Sequence, residues 1–118
     1  ITLHDIDQKR AGKLAELVSK AFPACIISTG AADPRGMDIA VNATPLGMHA
    51  SDPLPMDVSG FTPDMLVVDI IMEPVETALL QAARKASCRI QHGRPMMQFQ
   101  IQAMADFFDV DRKDRANG

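Results

Sequence analysis

The spacing of apolar positions changes several times along the chain, and each change marks an element. Ile1 to His4 is a short apolar run closed by Asp5-Ile6-Asp7. From Gln8 the period becomes helical, with Ala11, Leu14, Ala15, Leu17, Val18, Ala21 and Phe22 on the i, i+3, i+4, i+7 rule of an amphipathic helix. Asp7 is placed to cap that helix, since a short side-chain acceptor satisfies first-turn amides, and Pro23 stops it. Cys25 to Ser28 predicts a second strand, and Thr29 to Gly36, with Gly30, Pro34 and Gly36, predicts a loop or broken helix. Ile39 to Ala43 predicts a third strand, followed by the turn-rich Thr44-Pro45-Leu46-Gly47-Met48. Pro45, Pro53, Pro55 and Pro63 punctuate a long surface connection. Leu66 to Ile71 is the strongest strand signal. Pro74 is placed to open the next helix, whose apolar face is Leu79, Leu80, Ala82, Ala83 and Ala86. Cys88 to Gln91 predicts a last short strand, broken by Gly93 and Pro95, and Met96 to Phe108 a long apolar helix.

Strands alternating with helices predict an α/β domain with a parallel sheet. The strand runs lack period-two alternation, which is the pattern of strands covered on both faces. The domain is expected over residues 1–108, with 109–118 a charged, frayed tail.

Composition narrows the classes. The 118 residues are 47% apolar and 23% charged, enough for one domain with a core. A net charge of −3 gives no electrostatic footing for nucleic acid, and the five aromatics, all Phe, offer no base-stacking platform. No apolar run approaches the ~20 residues of a membrane helix, so neither nucleic acid nor membrane is an expected partner. The two cysteines, Cys25 and Cys88, lack CxxC spacing and read as buried thiols of a reduced, cytoplasmic protein, with a disulfide left open. The chain opens inside a strand, without Met or leader, and so reads as cut from something longer.

Ligands of open parallel sheets bind beyond the carboxyl ends of the strands. That rule selects Asp5 and Asp7, Thr44 to Met48, Ile70 to Met72 and Gln91 to Gly93, which are expected to converge on one crevice. Asp5 can accept hydrogen bonds from both hydroxyls of an adenosine ribose and would repel a 2′-phosphate; a solvated loop carboxylate is the alternative. Arg10, in the first helical turn, either leans back to stack on an adenine or is simply solvated, and Lys9 and Arg10 also suit a 2′-phosphate. Asn42 is expected inside, pinning the turn that follows. Gly47 and Gly93 permit close backbone approach, to a ligand or within a turn. Gln100 falls in the apolar arc of Met97, Ile101, Met104 and Phe108, either bonded to backbone or lining a pocket for a polyhydroxy substrate. His4, His49 and His92 show no metal spacing, Asp69 is a weak catalytic candidate, and no G-x-G-x-x-G fingerprint occurs.

Val41-Asn42-Ala43-Thr44-Pro45-Leu46-Gly47-Met48 closely resembles the NATPxGM segment of the shikimate dehydrogenase family. Val68-Asp69-Ile70-Ile71 followed by Pro74, Thr77, Leu79 and Leu80 resembles its D-V-V-Y-x-P-x-x-T-x-L-L stretch. Gly93, Met96 and Gln100 resemble the G-x-x-M-x-x-x-Q run opening the final helix. Asp5-Ile6-Asp7 with Arg10 resembles the adenosine loop of NAD-preferring quinate/shikimate dehydrogenases, where NADP-dependent members carry Asn-Arg-Thr. The resemblance implies a Rossmann-like parallel sheet with flanking helices, lacking its first strand and Gly-rich turn. It implies an NAD site (NADP the alternative) in which Asp5 holds the ribose, Arg10 lies near the adenine, and Thr44 and Met48 line the crevice. Ile70 and Gly93 would approach the nicotinamide, with Met96 packed beside it, and Gln100 would reach a hydroxyl of shikimate or quinate. Met72 stands where the family has a substrate-facing Tyr, which leaves the substrate open. The catalytic Lys and Asp would lie in an N-terminal substrate domain outside this chain, so that no catalytic residue falls within it and the chain alone would be inactive. A homodimer is compatible with the resemblance. The competing reading is a non-catalytic α/β signalling or ligand-sensing module, such as a phospho-receiver built on Asp5, Asp7 and Thr44, although Met72 or His92 stands where such a module wants Lys.

Overall fold

The computed structural model describes residues 1–108; segment 109–118, and the expectation that it frays, lie outside them. Five short strands alternate with helices: β1 (Thr2–Leu3), α1 (Gln8–Ala21), β2 (Ser28–Thr29), β3 (Ile39–Asn42), β4 (Leu66–Asp69), α2 (Ala78–Lys85), β5 (Arg89–Gln91) and α3 (Gly93–Phe107), with a 3₁₀ turn at Val58–Gly60. Every strand pair is parallel, as the alternation predicts. The pairing nevertheless makes two sheets rather than one, β1-β2 and β3-β4-β5.

Local chemistry explains the boundaries. Asp7 caps α1, its carboxylate accepting from the Lys9 and Arg10 amides. Thr77, not Pro74, opens α2: its hydroxyl accepts from the Leu80 amide, while Pro74 follows a cis peptide bond in the loop ahead. Pro95 falls inside the first turn of α3, where the missing amide has no partner to lose, so the helix starts at Gly93, ahead of the expected Met96. Cys25 belongs to a turn, its amide donating to the Phe22 carbonyl, so β2 begins later than expected. β4 ends at Asp69 because the next loop folds onto that residue's own side chain.

The core lies between the β3-β4-β5 sheet and α2. Ala40, Met65, Val67, Leu79, Leu80 and Ala83 are buried together, with Met56, Val58, Phe61, Cys88 and Ile90 packed against them. Each large side chain removed from water there contributes about 1.5–3 kcal/mol. Leu79, Leu80 and Ala83 are thus the inward face that the spacing predicts.

Elsewhere the expected burial is absent. Of the α1 face only Ala11 is buried; Leu14 and Leu17 are 46% and 65% exposed. β3 packs one face inward, leaving Ile39 and Val41 57% and 51% exposed, so it is not covered on both sides. The apolar arc of α3, Met97, Ile101, Met104 and Phe108, is exposed as well. Cys25 is exposed rather than buried; Cys88 is half-buried, and burial pushes its thiol up from the ordinary value while Sγ lies 3.1 Å from the Thr62 carbonyl. The radius of gyration, 17.4 Å, exceeds the roughly 13 Å of a compact domain of this length. The segment after β2 is tied to the 3₁₀ turn by Arg35, whose guanidinium donates to Asp33 (2.7 Å), Asp57 (2.9 Å) and Ser59 (2.6 Å).

Candidate functional site

The carboxyl ends of β3 and β4 are locked to each other by a buried polar network. Parallel register sets Asn42 level with Asp69, and both are buried, as is Thr77. The Asn42 amide donates to Asp69 Oδ1 at 3.1 Å and to the Leu46 carbonyl at 2.9 Å. Its Oδ1 accepts from the Thr44 amide at 3.1 Å and the Thr44 hydroxyl at 2.7 Å. Asp69 also accepts from the Ile71 amide (3.1 Å) and the Thr77 hydroxyl (2.7 Å). A carboxylate out of water is costly unless its lone pairs are used, and here three donors use them. No buried side-chain nitrogen or oxygen among the described residues lacks a partner. Asn42 therefore pins the following turn, as expected. Asp69 is its unforeseen partner, and Thr77 is in turn Asp69's: cross-strand register and the cap of α2 bring them in, and neither is a local pattern.

The turn it holds is shaped further by Gly47 and Asp52. Gly47 has φ +109°, a left-handed conformation that only glycine adopts without strain. Asp52 accepts from the His49 amide (2.9 Å) and the Gly47 amide (3.0 Å), and these bonds hold its carboxyl below the usual carboxylate range. Thr44 is half-buried in the network, while Met48 is exposed. Gly93 is buried against the loop after β4: a Cβ there would stand 2.5 Å from the Ile70 carbonyl oxygen and 2.7 Å from that of Ile71. Its glycine is thus required by a close approach of backbone to backbone. Ile70 and Met72 are half-buried, and Met96 is exposed on the first turns of α3.

Asp5 occupies a separate place, directly after β1. One carboxylate oxygen accepts from the Asp7 amide at 2.8 Å, and the other faces Arg10 at a loose 3.7 Å. Arg10 does lean back toward Asp5. Asp7 is spent on the α1 amides, so the two acids do not form the paired acidic pocket of a phospho-receiver. Beside Asp5 opens a cleft of about 580 Å³ walled by Leu3, His4, Gln8, Thr29 and Gly30. Neither residues 44–48 nor 70–72 line it. The strand-end loops therefore do not meet in one crevice within the described residues, because the sheets that carry them share no strand pair. A second hollow of about 330 Å³ lies between Gly47, Asp52, Pro55, Pro74 and Gln81. Gln100 is exposed on α3, among apolar neighbours that are exposed too, so it is not the core-facing amide that the helical wheel suggests.

Known proteins are similar to this chain in sequence and in fold. No protein-family model matches the chain. It is 39% identical over 101 residues to a shikimate dehydrogenase (NADP(+)) of Rhodospirillum rubrum, a match covering 82% of this chain and 36% of that protein. It is 37% identical over 99 residues to a quinate/shikimate dehydrogenase (NAD(+)) of Corynebacterium glutamicum, covering 78% of this chain and 34% of that protein. A solved quinate dehydrogenase from Corynebacterium glutamicum in complex with NAD superposes with a TM-score of 0.71 at 36% identity, over 81% of this chain and 36% of that one. The chain belongs to the shikimate/quinate dehydrogenase family. Its α/β fold with parallel strands and flanking helices is the Rossmann-like fold of those enzymes' domains. The chain spans about a third of the length of these relatives.

Proposed function

We propose that residues 1–108 are the nicotinamide-dinucleotide-binding part of a shikimate/quinate dehydrogenase-type oxidoreductase, and that the cofactor is NAD rather than NADP. The observation that carries the reading is Asp5. It stands at a strand's carboxyl end beside an open cleft, with one oxygen taken by a backbone amide and the other held only by a loose, exposed ion pair. That second oxygen is available to ribose hydroxyls, and its charge would oppose a 2′-phosphate. The cleft is also within the size range of small-molecule sites. The residues present therefore fit the adenosine end of the cofactor.

Arg10 would flank the adenine. Thr44, held by Asn42, and Met48 would face the dinucleotide, while Ile70, Gly93 and Met96 would form the wall at the nicotinamide. When bound, the nicotinamide supplies hydride chemistry at a carbinol carbon of the substrate. Met72 and Gln100 would face that substrate, shikimate or quinate, from the cofactor side. The proton-transferring Lys–Asp pair belongs, in this reading, to a substrate domain outside these residues, so the chain alone should turn over neither compound.

The test uses the full-length protein. Asp5→Asn should reduce the preference for NAD over NADP in kcat/KM by roughly an order of magnitude or more, the size of a lost charge-assisted hydrogen bond of about 1.5–3 kcal/mol. An unchanged ratio would remove Asp5 from the ribose site.

A further inference from the structure

The turn after β3 commits its backbone donors to its own shape. The Thr44 amide donates to Asn42 Oδ1, the Leu46 amide to the Thr44 hydroxyl and the Met48 amide to the Pro45 carbonyl. Pro45 has no amide to give. The Gly47 and His49 amides both donate to a single oxygen of Asp52, Oδ2, at 3.0 and 2.9 Å. A ligand lying against residues 44–49 therefore meets the form of the turn and the exposed Met48 side chain rather than a row of free amides.

That form has two holders, and they differ in kind. Asn42 grips the first half, through Thr44 and the Leu46 carbonyl, and belongs to the buried network. Asp52 grips the second half and is only half-buried, outside the core cluster. The second half is the part that needs holding. Gly47, at φ +109°, has many other conformations open to it, and glycine loses more freedom on ordering than any other residue. A carboxylate oxygen accepting from backbone amides is a charge-assisted tether. The His49 amide and then the Gly47 amide favour the charged carboxylate and hold its pKa below the ordinary range, so the tether is ionised at neutral pH. Asp52 is itself set in place: its amide donates to the His49 carbonyl at 3.0 Å, and Pro53 narrows the backbone conformations open to the residue before it.

We propose that Asp52 is a positioning residue for dinucleotide binding: by tying Gly47 and His49 it holds Met48 in the shape that the cofactor meets, before the cofactor arrives. This rests on the function proposed above, in which Thr44 and Met48 face the dinucleotide. Asp52 acts through the turn and not on the reacting atoms. A turn that holds its binding shape only about a tenth of the time weakens apparent affinity by the same factor and leaves the chemical step alone. Since one oxygen takes both amides, Asp52→Asn keeps an acceptor of the same geometry and loses only the charge, whereas Asp52→Ala loses the acceptor.

The experiment compares the full-length protein with these two variants. Without cofactor, amide hydrogen exchange at Gly47 and His49, followed by NMR, should quicken about tenfold or more in Asp52→Ala, while Val67 and Leu80 stay as slow as in wild type. The KM for NAD should rise about tenfold, with kcat and the KM for shikimate or quinate changed less than about twofold. Asp52→Asn should recover most of both losses. If Asp52→Ala also loosens Val67 and Leu80, Asp52→Glu, which displaces the carboxylate by one methylene from the two amides, carries the same expectations and the same refutations. Unquickened exchange at Gly47 and His49 overturns the proposal. So does an unaltered KM for NAD, a fall in kcat that matches the loss in kcat/KM, or an Asp52→Asn protein as impaired as Asp52→Ala. When the KM for NAD is unaltered, Met48→Ala decides what falls with the proposal. Weaker NAD binding in Met48→Ala keeps the turn at the cofactor and removes only the part given to Asp52, whereas unchanged binding removes the turn from the cofactor site as well.

Discussion

β3-β4-β5 with α2 and β1-β2 with α1 are made of the same parts and reach different ends. Each has parallel strands and an amphipathic helix with a side-chain cap at its start. In the first, the helix lies on three paired strands and buries Leu79, Leu80 and Ala83 against Met65 and Val67. In the second, a helix almost twice as long, 14 residues against 8, buries only Ala11. The difference lies in the sheet beneath. Two strands of two residues each offer too little surface to take up a helix's apolar stripe, and a two-stranded ribbon is marginal in water. Amphipathicity is a demand for a partner, and only one of the two helices has its demand met.

Substitutions can break or sharpen that contrast. The largest effect is expected at Leu79: Leu79→Ala should cost about 2–5 kcal/mol in urea unfolding of the chain, since the cavity opens in the core that Leu79 shares with Met65, Val67 and Leu80. A loss below about 1 kcal/mol would mean that the core is not where the stability resides. Next comes Thr77→Ala, which removes a helix cap and one of Asp69's donors together, at an expected cost of about 1–3 kcal/mol by the same assay. The smallest is Leu17→Ala, on the uncovered face of α1, expected within about 0.5 kcal/mol of wild type. A large loss there would show that α1 is covered in solution.

The same contrast explains what was readable in the sequence. Asp7 as cap, Pro23 as stop and the inward face of α2 are local signals, and they hold. The spacing in α1 and α3 names an apolar face correctly and says nothing about whether anything covers it; Leu17 and Ile101 are apolar, periodic and exposed. Pro74 has the right residue type for a helix start, but Thr77, three residues on, offers a hydroxyl that bonds both Asp69 and the Leu80 amide, and that pairing wins. Asn42 is recognisable as a buried pin because a polar residue ends an apolar run. Asp69 is not recognisable as its partner, since the register of β3 on β4 joins residues 27 apart. Gly93 is noticeable as a glycine, while its reason, the carbonyls of Ile70 and Ile71 at its α-carbon, is a tertiary fact. Asp5 comes forward from its place after a strand and from resemblance together; its neighbours in space, Thr29 and Gly30, come only from the β1-β2 pairing.

Native-state hydrogen exchange of the 118-residue chain tests the unequal halves most directly. Amides of Val67, Leu80 and Ala83 should exchange only through global unfolding, with opening free energies equal to that from urea, while those of Leu14 and Leu17 should exchange through far cheaper local opening. Equal protection of α1 and α2 amides would contradict the account.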